Sequence, residues 1–333
     1  MNTRCFADLR IEWDIGNLPV DPFAPVLPLA LLESREPDAR ATSAAADLVI
    51  VARLTPAPAP SPAAEGALPV IFHGKTRCFL ADAELVLWDG ASTLRISSDG
   101  RRIDAAVHAS SLERVFHFSS VTVMMALLLA LRHRGLFHLH AAAAQWPDGE
   151  TWVIPGESNS GKSTLALAAF SAGARWLSDD ALLLRAVDRD VEIVGWARMI
   201  RMTAVTADAF PALRPLLTAC PPGSARDFEV DPRAAFAGRG QQCVRPPVTL
   251  LYPSIASLEH SHVTPLDDAE AFGRTLHACA WVASEHLPRR QEQLDLLARL
   301  IDRARAFELH VGTRLLQDPA AAVDEIRQLV KAS

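Results

Sequence analysis

Lysine is almost missing from this chain. Only Lys75, Lys162 and Lys331 occur among 333 residues, against thirty arginines. Basic tracts are missing too, and the formal net charge is −6. A surface of that sign does not neutralise a phosphate backbone, so nucleic acid is not an expected partner. The five cysteines (Cys5, Cys78, Cys220, Cys243, Cys279) form no C-x-x-C pair. That excludes a zinc-ribbon pattern and a disulfide frame, and fits a reducing, cytoplasmic compartment. Charges interrupt the first ten residues, so no signal peptide is expected. The longest apolar stretch, residues 121–131, falls short of the roughly 20 residues a bilayer needs, so no membrane partner is expected. No internal repeat and no guanine-reading N-K-x-D occur.

Against that background, the position of one lysine matters. Gly156-Glu157-Ser158-Asn159-Ser160-Gly161-Lys162-Ser163 fits the phosphate-loop pattern G-x-x-x-x-G-K-[ST] at every fixed position, and Thr164 follows. An apolar strand-like run, 151–155, precedes it, and a helix-like run, 164–170, follows. The glycines let the backbone curl its N–H groups toward phosphate oxygens, at a helix N-terminus that favours anions. Lys162 supplies a compact charge that guanidinium does not reproduce. The Ser163 hydroxyl is a candidate ligand for Mg2+. Residues 156–164 are therefore the candidate binding segment for ATP or another nucleoside triphosphate.

Half of the residues are apolar and 22% are charged, as in a packed soluble protein. Two domains are expected, a small mostly β domain at 1–115 and a nucleotide-binding domain at 116–333. In the first, 11–15, 47–54, 83–88 and 93–96 read as strands, with Asp89-Gly90 and Asp99-Gly100 as turns and a proline-rich loop at 56–62. In the second, a buried helix at 119–134 is expected, capped by Ser119 or Ser120. Strands are expected at 137–144 and 151–154, paired through the turn 147–149. A strand at 174–184 carries Asp179 and Asp180, and Gly173 stops the preceding helix. Residues 191–203 give further strands. The proline-rich stretch 204–245 reads as irregular, a loop over the site. Another strand is expected at 248–252, and helices at 266–284, 288–307 and 318–331.

Asp179 and Asp180 follow Lys162 by seventeen and eighteen residues, the length of a helix, a turn and a returning strand. Neighbouring strand residues face opposite ways, so the two carboxylates are expected to divide two tasks. One holds Mg2+, and the other accepts the proton of an attacking hydroxyl. His140 lies sixteen residues before Gly156, on a strand expected beside the one that feeds the loop, with His138 on the same face. Arg198, Arg201, Arg226, Arg233 and Arg245 are candidates to stabilise a phosphoryl group in transfer.

Taken together, His140, the loop Gly-Glu-Ser-Asn-Ser-Gly-Lys-Ser, and Gly-Ala-Arg-Trp-Leu-Ser-Asp-Asp ending at Asp180 resemble the core of the HPr kinase/phosphorylase family, over residues 137–184. The resemblance implies an α/β fold with a phosphate-loop core like that of phosphoenolpyruvate carboxykinase, and phosphoryl transfer to a serine hydroxyl. Carried over, Asp179 is the base, Asp180 and Ser163 serve the metal, Lys162 the phosphates, and His140 sits near the transferred group. The family's glutamate after the loop serine is replaced by Thr164. Its later Glu-Arg-Gly signature gives way to Gly195-Trp-Ala-Arg-Met-Ile-Arg201. The chain thus resembles the divergent relatives found beside peptide-modifying machinery, such as lasso peptide clusters. That implies a serine of a peptide or protein as acceptor, and leaves self-association open. Two other readings stand beside it: a nucleotide-binding regulatory or chaperone-like module with little transfer, and an ATPase or GTPase switch.

Overall fold

Residues 1–6, 9–28, 46–157, 159–279 and 284–333 are described by the computed structural model. They form a mixed α/β protein with several sheets. The chain divides into two compact units. The first comprises Met1–Phe137 with Pro221–Ser224 and Trp281–Arg290, and the second holds the rest. The long apolar helix therefore belongs with the N-terminal unit, which ends beyond the 115/116 division expected from the sequence.

In the first unit, alternating apolar residues give eight strands. They are β1 (Asn2–Phe6), β2 (Leu9–Asp14), β3 (Leu48–Thr55), β4 (Leu68–His73), β5 (Thr76–Ala81), β6 (Glu84–Trp88), β7 (Thr93–Ile96) and β8 (Arg102–His108). They join in one sheet, ordered β1-β2-β3-β8-β7-β6-β5-β4. The expected hairpin β6–β7 turns at Asp89, whose Oδ1 accepts from the amides of Ala91 and Ser92 at 3.0 and 2.7 Å, with Gly90 in the left-handed region. Ile50, Leu87, Leu94, Ile96 and Val107 are fully buried.

The helix Val115–His133 starts four residues earlier than expected. Ser120 does not cap it. Its hydroxyl donates to the Phe116 carbonyl one turn back, inside a helix whose Phe118–Val123 segment is widened to a π-helix. By length and composition this helix could cross a membrane, but 72% of its apolar window is buried inside the folded chain, as befits a core helix. The turn at Gly100 lies against it. A Cβ there would sit 2.4 Å from that of His133, so only glycine fits.

The second unit carries β9 (Phe137–Leu139), β10 (Ala141–Gln145), β11 (Thr151–Pro155), β12 (Arg175–Ser178), β13 (Leu182–Val187), β14 (Asp190–Gly195), β15 (Ile200–Met202), β16 (Thr218–Ala219), β17 (Phe228–Val230), β18 (Cys243–Val244), β19 (Val248–Ile255), β20 (His262–Pro265) and β21 (Ala304–Val311). A six-stranded sheet runs β12-β10-β11-β19-β21-β20, a four-stranded one β18-β14-β13-β9, and a three-stranded one β15-β17-β16. Two strands of the last, β16 and β17, lie in the stretch 204–245 read as irregular from its prolines. The expected helix 288–307 stops at Asp302, because residues 304–311 alternate in burial and pair with β19 as a strand. The helix expected at 266–284 spans Asp268–His277, capped by Asp267 and ended at Ala278, and residues 280–283 of the expected range lie outside the described residues.

Two expected strands are each broken in two. Residues 137–144 split at His140 into β9 and β10, and residues 174–184 split at Asp179-Asp180 into β12 and β13. In each case the halves belong to different sheets, so the chain crosses between the six-stranded and the four-stranded sheet at these residues. At His140 the backbone amide leaves the sheet pattern and donates to the Ala278 carbonyl at 2.9 Å. The opposite-face argument for the two aspartates therefore does not apply. They lie on a bend, not in a strand.

Candidate active site

Strand β11 is fully buried and leads straight into the glycine-rich loop, and the helix Lys162–Ser171 leaves it. Asn159 (φ +69°) and Gly161 (φ +93°) are left-handed on either side of Ser160, an alternation that turns successive amides toward one concavity. Gly156 permits a close approach, since a Cβ there would lie 2.7 Å from the Ser160 Oγ. That hydroxyl is buried without a hydrogen-bond partner. An orphaned donor in a concave backbone is what a bound anion would satisfy. Ser158 lies outside the described residues.

Lys162, the first helical residue, is 5% exposed. Its Nζ donates to Asp180 Oδ1 at 3.1 Å and to His140 Nε2 at 3.3 Å. Arg198 Nη2 donates to the other oxygen of Asp180, Oδ2, at 2.8 Å. His140 Nδ1 lies 3.0 Å from the Asp180 carbonyl. A carbonyl only accepts, so Nδ1 carries the proton and Nε2 keeps a lone pair for Lys162. Burial holds the His140 pKa below its ordinary value, opposed by the Asp180 carboxylate and aided to a smaller extent by the Lys162 charge, consistent with that neutral ring. His138 lies beside it, with ring centroids 6.4 Å apart, half-buried and pushed down to about 3 chiefly by burial.

The two aspartates diverge. Burial opposes ionisation of Asp180, but the Lys162 and Arg198 charges outweigh it and hold its carboxyl well below the usual range. Asp179 is 5% exposed, and burial, followed by the adjacent Asp180 charge, pushes its carboxyl well above the usual range. The bend that presents them is fixed by Ser178, whose hydroxyl donates to the Trp196 carbonyl and accepts from the Ala181 amide. Gly195 makes this crossing possible. A Cβ there would meet the Leu177 carbonyl oxygen at 2.4 Å. The chain continues from Gly195 through Trp196 to Arg198, so the close contact of β12 with β14 sets where the guanidinium reaches.

The structure thus gathers Lys162, His140, Asp180 and Arg198 into one cluster, with Asp179 next to Asp180 on the bend. Thr164 turns elsewhere, pairing its hydroxyl with Thr206 at 3.3 Å. Glu157 is exposed and pairs with His277 at 2.7 Å. Arg226 reaches the loop at the Asn159 side chain, 3.0 Å away. Arg201, Arg233 and Arg245 pair with Glu229, Asp231 and Glu192. Ser163 is half-buried. Sequence reasoning missed Thr206, His277 and the Ala278 carbonyl, which touch the site from segments 42 to 138 residues away. No local signal marks them. Among the described residues, no group of three or more His, Cys, Asp or Glu is set to hold a metal.

A scan against protein-family models finds no match to the chain, and neither does a search of curated proteins. Among solved structures, it is similar to the Hpr(Ser) kinase/phosphatase from Coxiella burnetii over 59% of this chain and 93% of that one, at 12% identity and a TM-score of 0.30. A likeness of that size adds nothing to the site geometry.

Proposed function

We propose that the protein is an ATP- and Mg2+-dependent phosphotransferase that moves the γ-phosphoryl group to a hydroxyl, with a serine of a peptide or protein as acceptor. The observation that carries this reading is the divergence of Asp179 and Asp180 beside Lys162. Two carboxyls whose environments push their pKa values apart mark an acid–base pair. Asp179, raised, is the better base, able to take the hydroxyl proton near neutral pH. Asp180, lowered, stays an anion suited to a cation. The near-complete burial of Asp179 keeps bulk water from the base, which favours an inserted alcohol over hydrolysis.

The donor set fits the group it would hold. Loop residues 156–163, with the unpartnered Ser160 hydroxyl and the left-handed Asn159 and Gly161, suit a triphosphate. When bound, ATP supplies the phosphoryl group and Mg2+ offsets its charge. Ser163 and Asp180 are the residues that would hold Mg2+, which needs only one or two protein ligands beside phosphate oxygens. Lys162 and Arg198 neutralise phosphate charge, and His140 orients Lys162 through Nε2. Five free cysteines suit a reducing compartment such as the cytoplasm.

Mass spectrometry of serine-containing peptides incubated with the protein, ATP and Mg2+ tests this. Addition of one phosphate that disappears in Asp179→Asn is the expected result. Phosphate release without labelled acceptor, unchanged in Asp179→Asn, would mark an ATPase. Nucleotide binding with neither outcome would mark the regulatory module.

A further inference from the structure

We propose that Lys162 and Arg198 clamp Asp180 between two cations and so keep a divalent metal out until a nucleotide draws Lys162 away, with Arg198 then the positioning residue that keeps Asp180 aimed. This rests on the function proposed above. Each oxygen of the carboxylate is already taken, Oδ1 by Lys162 at 3.1 Å and Oδ2 by Arg198 at 2.8 Å. The Lys162 and Arg198 side chains are 5% and 14% exposed, whereas the Asp180 carboxylate they hold is 40% exposed and open to an incoming ion. A divalent ion reaches either oxygen only by displacing a cation already held there, whereas a polyphosphate in the loop draws one of those cations to itself.

The two cations are not equivalent. Lys162 begins the helix that follows the loop, so phosphates in the loop compete with Asp180 for the same ammonium. An ammonium on a flexible stem can exchange one anion for another. The planar guanidinium of Arg198 sits on the segment locked by Gly195, and its bond to Oδ2 does not depend on the loop. Nucleotide binding thus frees Oδ1 while Oδ2 stays held. Because binding couplings are reciprocal, metal and nucleotide raise each other's affinity by one common factor, typically 5- to 150-fold.

The test is a titration of the full chain with Mn2+, read by the electron paramagnetic resonance signal of the free ion, without nucleotide and with saturating ADP. ADP binding is measured separately by calorimetry without metal. We expect ADP to tighten Mn2+ binding at least about tenfold. Lys162→Met binds Mn2+ about tenfold better than the parent protein without ADP, and adding Asp180→Asn removes that gain. Lys162→Arg keeps the clamp closed, so Mn2+ stays weak even with ADP; this variant serves if Lys162→Met fails to fold. In Arg198→Ala the affinities with and without ADP converge, and Arg198→Lys restores most of the difference. If ADP binds but the parent takes up Mn2+ equally well without it, the clamp is overturned and the kinase reading survives. So it is too if neither Lys162→Met nor Arg198→Ala changes the ratio. If ADP does not bind at all, both fall.

Discussion

The two units use their strands in opposite ways. In the first, β6, β7 and β8 run unbroken between polar turns, with buried residues packing and charged ones turned outward. In the second, two runs that look equally continuous in sequence are cut at His140 and at Asp179-Asp180, and the cut ends meet. A polar residue inside an apolar run cannot remain in a buried strand without a partner. Where the chain needs such residues together, it changes sheets, and the change of sheet supplies the partners. The teaching is that an interruption of pattern marks this site better than a motif alone.

The strongest way to break the comparison is at the cluster itself. Lys162→Ala and Asp179→Asn are each expected to lower phosphoryl transfer by about 10²–10⁴-fold in kcat/KM, since each removes a charge-stabilising or proton-accepting group. Both should melt within a few degrees of the parent. Wild-type turnover by Lys162→Ala would remove the site from this loop.

The next effect is on stability. Gly195→Ala forces a methyl against the Leu177 carbonyl and is expected to cost about 1–3 kcal/mol by urea unfolding. Gly273→Ala, in a helix with nothing within 4 Å of the added Cβ, is expected to stabilise by about 0.5–1 kcal/mol. Equal costs at the two glycines would mean that the sheet crossing is not tightly packed.

A smaller effect is a slope with pH. His138 is held neutral down to about 3 in the folded protein, far below its usual value near 6.5. Below pH 6.5 the unfolded chain takes up a proton that the folded chain refuses, so this histidine's contribution to stability is whole above that pH and is lost as pH falls toward 3. His138→Gln is expected to flatten the dependence of the thermal midpoint between pH 7 and 5. An unchanged slope would assign the acid sensitivity to other groups. The smallest effect concerns Glu157, whose ion pair with His277 is exposed on both sides. Glu157→Gln should shift stability by less than about 0.5 kcal/mol, measured in the same unfolding experiment.

Much of this was legible in the chain. The hairpin at Asp89-Gly90 and the strand–loop–helix around Lys162 follow from local rules of turn chemistry and periodicity, and the structure contains both. Local rules failed where tertiary pairing overrode them. Residues 304–307 continue a helical periodicity but become a strand because β19 and β20 hydrogen-bond to that segment on either side. The break at His140 depends on a carbonyl 138 residues further along the chain. The choice of Arg198 from five candidate arginines was invisible for the same reason. It depends on how closely β12 and β14 pass, and hence on the missing side chain of Gly195.

The tautomer of His140 has its own consequence. With one ring nitrogen spoken for by a peptide oxygen and the other by an ammonium, the imidazole has no vacancy for an electrophile in this structure. Acylating reagents that seek unprotonated histidines should therefore modify the solvent-facing ones first. They should reach this ring only after the ammonium has departed, which makes its labelling rate a clock for the opening of the site.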